Sequence, residues 1–121
     1  PGHGYRRVLR RARAATDGVK FDWLAAFASD WARLSTAERR MFEEVVRRQF
    51  HPACERFREE PATPWPRSLR VKRVAGAPGV WEMTWSSAGP DGRATFEWVE
   101  IDDEPGVRWR RIGGLGIFGR P

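Results

Sequence analysis

The chain has 121 residues, seven of them tryptophan, and a formal net charge of +6 from 20 arginines and two lysines against 16 acids. This length is typical of one domain with a modest core, and no apolar run is long enough to cross a membrane. The single cysteine, Cys54, excludes an internal disulfide and a multi-cysteine zinc site, and the basic start lacks the apolar stretch of a signal peptide. We therefore expect a cytoplasmic domain whose basic surface binds nucleic acid or an acidic protein.

The first 18 residues form a basic N-terminal extension. Apolar residues recur at helical spacing between Tyr5 and Ala15, among five arginines. The extension is either an arm for nucleic acid or a solvated, frayed helix. The sequence places one domain at residues 19–121.

Two helices are predicted over residues 20–51. Apolar residues from Lys20 to Leu34 recur every three or four positions, which indicates an amphipathic helix, although residues 19–22 could instead form a short strand. The "STAE" segment, with Ser35 and Glu38, is a capping box that begins a second helix. Pro52 should stop or kink it. The result is a helical hairpin.

A linker follows at residues 52–67, where "PATPWP" indicates extended chain. After the linker, the spacing of apolar residues changes from every three or four positions to every second position. The segments "LRVKRV", "VWEMTW", "RATFEWVEI" and "VRWRRI" mostly alternate, and Gly, Pro and Asp mark turns between them. This pattern predicts an antiparallel sheet over residues 68–118. The expected fold is α+β, with the helical hairpin packed on one face of a twisted antiparallel sheet of about four strands.

Alternation divides the strand residues between two faces. The apolar face contains Leu69, Val71, Arg73, Trp81, Met83, Trp85, Ala94, Phe96, Trp98, Val107 and Trp109. The other face contains Arg70, Lys72, Glu82, Thr84, Arg93, Thr95, Glu97, Arg108 and Arg110. Converging arginines can hold phosphates, and a carboxylate beside them could take a proton from a ribose 2′-hydroxyl. Such a face could equally carry cross-strand ion pairs that favour solubility.

Gly114, Gly116 and Gly119 spell G-x-G-x-x-G, the pattern of a dinucleotide site. That site requires a helix directly after the glycines. Only Arg120 and Pro121 follow them here. We expect the end of a strand at this point, and no cofactor or metal.

The order of these parts resembles the RelE/ParE superfamily of toxins, and its HigB-like branch most. The resemblance covers residues 19–118 and is most specific in "GVWEM" and "DGRATF", followed by "VRWRRIGGLGIF". It implies a small basic ribonuclease that cuts mRNA on the ribosome by attack of the 2′-hydroxyl, without a metal. It also implies a cognate antitoxin as partner.

The resemblance assigns roles to particular residues. Arg93 matches the phosphate-binding arginine of the family, and Lys72 and Glu82 match polar positions of its catalytic site. Leu115 stands where many members have a catalytic His or Arg. The catalytic set is then Arg93, Glu82 and Lys72, with Glu97 as the other base candidate, and the RNA-binding set is Arg70, Lys72, Arg93, Arg108 and Arg110.

Two other functions remain open. The protein could be a non-catalytic binder on the same fold, either ParE-like or a degenerate toxin, as the loss of the catalytic residue at Leu115 suggests. It could also be an arginine-rich module that binds acidic proteins.

Overall fold

A computed structural model describes residues 19–86 and 91–121, so the predicted N-terminal extension lies outside the described residues. The elements in chain order are β1 (Lys20–Trp23), α1 (Ala25–Arg33), α2 (Thr36–Val45), a π-helical turn (Val46–Phe50), α3 (His51–Glu59), a 3-10 turn (Arg67–Leu69), β2 (Lys72–Arg73), β3 (Trp81–Ser86), β4 (Gly92–Ile101), β5 (Glu104–Gly113) and a second 3-10 turn (Leu115–Gly119). The α+β class is confirmed.

The sheet has five strands in the order β1-β5-β4-β3-β2, and it is mixed. β1 runs parallel to β5, with Phe21 opposite Val107, while the other pairs are antiparallel. The prediction of a four-stranded antiparallel sheet is therefore wrong. Residues 20–23 alternate as a strand does, with Phe21 buried at 3% exposure, and α1 begins only at Ala25.

The helical layer is a short helix followed by one long helix, which corrects the predicted hairpin. The capping box forms as predicted, because the Glu38 amide donates to Ser35 Oγ at 3.1 Å and the Ser35 amide donates to Glu38 Oε1 at 2.8 Å. The helix then continues through Pro52 to Glu59, so the linker starts at Glu60, eight residues later than predicted.

The π-helical turn explains how the long helix passes Pro52. A proline ring clashes with the carbonyl four residues earlier in a regular α-helix, and it has no amide proton to donate. The wider turn at Val46–Phe50 ends two residues before Pro52 and contains Arg48, the residue whose carbonyl a regular α-helix would bring against the proline ring. His51 donates its amide to the Val46 carbonyl across this turn.

The core lies between the helices and the sheet and is centred on Trp109. This side chain is fully buried, and its ring contacts five aromatic rings at centroid distances of 4.9 to 6.5 Å. Those rings belong to Phe21, Phe27, Phe42, Phe50 and Phe96. The core therefore joins β1, β4, β5 and every helical segment before α3.

Two local features fix the position of β5. Its hairpin with β4 turns at Asp102 and Asp103, both with positive φ (52° and 63°), a conformation that Asp tolerates better than most residues. Further along, Thr95 pairs with Arg111 while Phe96 pairs with Trp109. Arg110 is thus the extra residue of a β-bulge, which redirects the side chains of β5 at that point.

In the part of the chain that the structure describes, no helix has the length and apolar character needed to cross a membrane.

Candidate nucleic-acid interface

The sheet surface that points away from the helices is called the outer face. It carries Asp22, Lys72, Glu82, Arg93, Thr95, Glu97 and Arg108, which strand alternation and cross-strand pairing place on one side of the sheet. Two rows of cross-strand neighbours cross it: Lys72–Glu82–Thr95 and Asp22–Arg108–Glu97. Five of the predicted site residues therefore lie on or beside one surface: Lys72, Glu82, Arg93, Arg108 and the bulged Arg110.

Glu82 lies in the first row beside a lysine. The Lys72 ammonium is 4.0 Å from Glu82 Oε1, which is too long for a hydrogen bond. The Glu82 side chain is 13% exposed. Among the described residues, its carboxylate oxygens accept no hydrogen bond from another side chain or backbone amide. Its polar contact within the described residues is therefore the long ion pair with Lys72.

Arg93 lies two residues before Thr95 on β4 and so is a diagonal neighbour of Glu82 on the same face. Its guanidinium donates to the Gly92 carbonyl at 3.4 Å and to Asp91 Oδ2 at 3.3 Å. The Trp85 indole holds its backbone by donating to the Arg93 carbonyl at 2.9 Å. A side chain at Gly92 would meet the Trp85 ring at 2.5 Å, so this anchor requires glycine.

Arg108 and Arg110 are already engaged with acids. Arg108 donates to both carboxylate oxygens of Asp22, at 3.0 and 3.2 Å, and this hydrogen bonding raises the pKa of Arg108. Arg110 Nη1 donates to Glu97 Oε2 at 2.6 Å. Two of the predicted RNA-binding arginines thus form ion pairs with acids on neighbouring strands. This is the alternative interpretation of the charged face, in which such pairs favour solubility.

Arg70 lies apart from the strands. It follows the 3-10 turn in a left-handed backbone conformation, with φ 47°, and it is exposed. β2 begins only at Lys72, so the strand alternation that grouped Arg70 with the others does not reach it. Arg70 nevertheless belongs to a basic edge, since residues 61–81 contain four cations and no acid.

No sequence pattern predicts the ion pair between the buried carboxylate of Asp30 and the guanidinium of Arg111. Asp30 on α1 is 5% exposed and accepts from Arg111 Nε at 2.6 Å, Arg111 Nη2 at 3.1 Å and the Ile112 amide at 3.1 Å. β1 ends at Trp23, opposite Trp109, so it does not reach Ile112 on β5. The Asp30 carboxylate accepts the hydrogen bond of the Ile112 amide in its place. No spacing rule links residues 81 positions apart.

The outer face is not fully open, because residues 114–121, here called the strap, fold back onto it. The Pro121 backbone oxygen accepts from Thr95 Oγ1 and from Arg110 Nε, both at 3.0 Å. The Arg120 carbonyl accepts from Arg111 Nη1 at 3.0 Å. Thr95 is fully buried as a result. The glycine-rich segment therefore forms a 3-10 turn that covers the sheet, with Leu115 66% exposed upon it.

Among residues 19–86 and 91–121, no cluster of three His, Cys, Asp or Glu side chains has the arrangement of a metal site.

Comparison of the chain with family models, with curated proteins and with solved structures found no match. The resemblance to the RelE-like toxins therefore rests only on the sequence segments quoted above.

Proposed function

We propose that the protein is a RelE-like toxin that binds RNA phosphates at Lys72 and Arg93 and cuts mRNA on the ribosome, with Glu82 as the general base. The proposal rests on a difference in hydrogen bonding between the two candidate bases, Glu82 and Glu97. Glu97 accepts a 2.6 Å hydrogen bond from Arg110, whereas the Glu82 carboxylate lies beside Lys72 without one. Glu82 therefore has oxygens free to take a proton.

The reaction needs no metal in this scheme. Glu82 takes the proton of a ribose 2′-hydroxyl, the 2′-oxygen bonds to the adjacent phosphorus, and the bond from phosphorus to the 5′-oxygen breaks. The products are a 2′,3′-cyclic phosphate and a 5′-hydroxyl, whose proton comes from water. Lys72 and Arg93 stabilise the charge that develops on the phosphate oxygens. Leu115 supplies no acid, so we expect slow cleavage.

The resemblance supplies the remaining parts of the proposal. The mRNA is met on the ribosome in the cytoplasm, and a cognate antitoxin neutralises the toxin. No cofactor takes part. An antitoxin with acidic segments would match the positive edge formed by residues 67–73.

The test of the catalytic role is a pair of matched variants, Glu82→Gln and Glu97→Gln, assayed for mRNA cleavage with translating ribosomes. Glu82→Gln should lower the cleavage rate about 10²-fold or more, because a positioned base contributes about 10²–10⁴-fold. Glu97→Gln makes the same chemical change on the same face but removes only the partner of Arg110, so it should lower the cleavage rate far less than Glu82→Gln does. Equal rates in both variants would refute the role of Glu82.

The second candidate is a non-catalytic binder. It is favoured by the exposed, apolar Leu115 at the position of the family's catalytic residue, and by the engagement of Arg108 and Arg110 with acids. In the same assay, this function would appear as RNA or ribosome binding without cleavage by the native chain.

A further inference from the structure

Two side-chain donors on the outer face converge on one oxygen atom. Thr95 Oγ1 on β4 and Arg110 Nε on β5 both lie 3.0 Å from the backbone oxygen of Pro121. The hydroxyl is fully buried, and the guanidinium is fixed from its other side by Glu97. A hydroxyl and a guanidinium that meet at a single oxygen form the kind of site that holds a phosphate oxygen.

This pair of donors lies beside the proposed catalytic group. Thr95 is the direct cross-strand partner of Glu82, and Arg93 is two residues away from Thr95 on the same strand and face. Directly opposed residues have Cβ atoms about 5 Å apart. A phosphate group bound where the Pro121 oxygen lies would therefore be close to the carboxylate of Glu82.

The strap is attached by few contacts. Within it, Ile117 is buried at 5% exposure, while Leu115, Gly119 and Arg120 are exposed. A cleft of about 210 Å³, lined by Asp30, Arg111 and Ile117 among others, separates part of the strap from α1. Release of Ile117 and three hydrogen bonds to backbone oxygens would lift the strap without opening the aromatic core.

We infer that Thr95 and Arg110 form a phosphate-oxygen subsite, and that the strap closes it by placing the Pro121 oxygen where the phosphate oxygen binds. This inference rests on the proposed function, because it names a further contact of the same RNA site and a means of regulating it. RNA and the strap then compete for the same two donors. An RNA phosphate binds fully only when the strap has moved.

The experiment compares Ile117→Asp with the matched control Leu115→Asp. Both put the same charge into the same 3-10 turn, but only the first replaces a buried side chain. The probe is inorganic phosphate, and the readout is the NMR shift of the Arg110 Nε–H proton during titration. The apparent dissociation constant should fall about tenfold in Ile117→Asp, since phosphate no longer displaces two hydrogen bonds of ordinary net strength. Leu115→Asp should behave as the native chain does.

A second substitution tests the subsite itself. Thr95→Val in the Ile117→Asp background keeps the shape of the side chain but removes the hydroxyl, and it should reverse most of the gain in phosphate affinity. If Ile117→Asp does not fold, as judged by circular dichroism, Ile117→Ala takes its place in both measurements. No change of the Arg110 signal with phosphate in the strap variant would overturn the inference.

The same variants separate this inference from the proposed function. Titration with a short single-stranded RNA reports on the function. RNA binding by the native chain that is unchanged in Ile117→Asp would overturn the strap's role and leave the RNA function standing. Failure of every variant to bind RNA, together with a phosphate response that needs Thr95, would leave the subsite standing and refute the RNA function.

Discussion

Asp30 joins α1 to β5 through a single carboxylate. It is 5% exposed, and it accepts two hydrogen bonds from Arg111 and one from the Ile112 amide. The hydrogen bond to Asp30 raises the pKa of Arg111. Arg33 also approaches Asp30, at 3.5 Å, but its side chain is 76% exposed. Asp30 therefore pairs with two arginines, of which Arg111 is partly buried and Arg33 is exposed to solvent.

Asp30→Asn should reduce the free energy of unfolding by about 2–4 kcal/mol, because Arg111 then loses its charged partner where little water can replace it. The measurement is urea denaturation of the native chain and the variant. Arg33→Ala is the control, since it removes only the exposed pair and should change stability by less than about 1 kcal/mol. Similar losses in both variants would show that the burial of Asp30 does not matter.

At the scale of elements, β1 is held to the long helix by a short polar network. The Val19 amide donates to Glu55 Oε1 at 2.8 Å, and His51 Nε2 lies 3.4 Å from the same oxygen. His51 is 4% exposed and packs edge-on against Phe21, with ring centroids 5.0 Å apart. The sequence offered β1 only as an alternative to a helix. Its start is held by Glu55, which lies 36 residues away in the chain.

This network predicts a pH dependence of stability. Burial lowers the pKa of His51, and the Glu55 carboxylate opposes this shift only in part. The unfolded chain therefore binds a proton more readily than the folded chain below pH of about 6.5. The contribution of His51 is fully present above that pH, and stability should fall as pH decreases from 6.5 towards the folded pKa.

Thermal or urea unfolding between pH 7.5 and 5.5 measures this effect. His51→Gln should flatten the stability profile over that range, whereas His3→Gln, which replaces the chain's other histidine outside the described residues, serves as the comparison. An unaltered slope in His51→Gln would assign the pH dependence to other groups.

At the scale of the whole molecule, the net charge of +6 overstates how many cations the outer face offers to RNA. Arg108 and Arg110 are neutralised by Asp22 and Glu97. The more exposed positive charge lies towards β2, where Lys72 is 70% exposed and residues 67–73 contain no acid. RNA should therefore be bound from the β2 edge inwards.

The salt dependence of RNA binding tests this distribution. Arg93→Ala should weaken binding at every salt concentration and reduce the slope of log affinity against log salt by about one, because one phosphate contact is lost. Arg33→Ala removes an equal charge from α1, in the layer on the opposite side of the sheet, and should leave the slope unchanged. A slope that is insensitive to Arg93 would place the interface elsewhere.

The sequence by itself determined the features that depend on near neighbours in the chain. Alternation fixed β3, β4 and β5 closely enough to put Met83, Phe96 and Trp109 in the core and Glu82, Arg93 and Thr95 on the other side. The capping box fixed the start of the long helix. These signals are local, since strand alternation and helix caps act over a few residues.

Only the tertiary structure decided the rest, because it depends on groups far apart in sequence. Propensity alone stopped the helix at Pro52, but a π-helical turn lets it continue and pack on the sheet. The parallel pairing of β1, the Asp30–Arg111 pair 81 residues apart and the strap contact from Pro121 to Thr95, 26 residues apart, have no local signature. Thr95 is buried where the strap covers the sheet. A buried hydroxyl must find a hydrogen-bond partner, and the strap supplies one that the sheet itself does not.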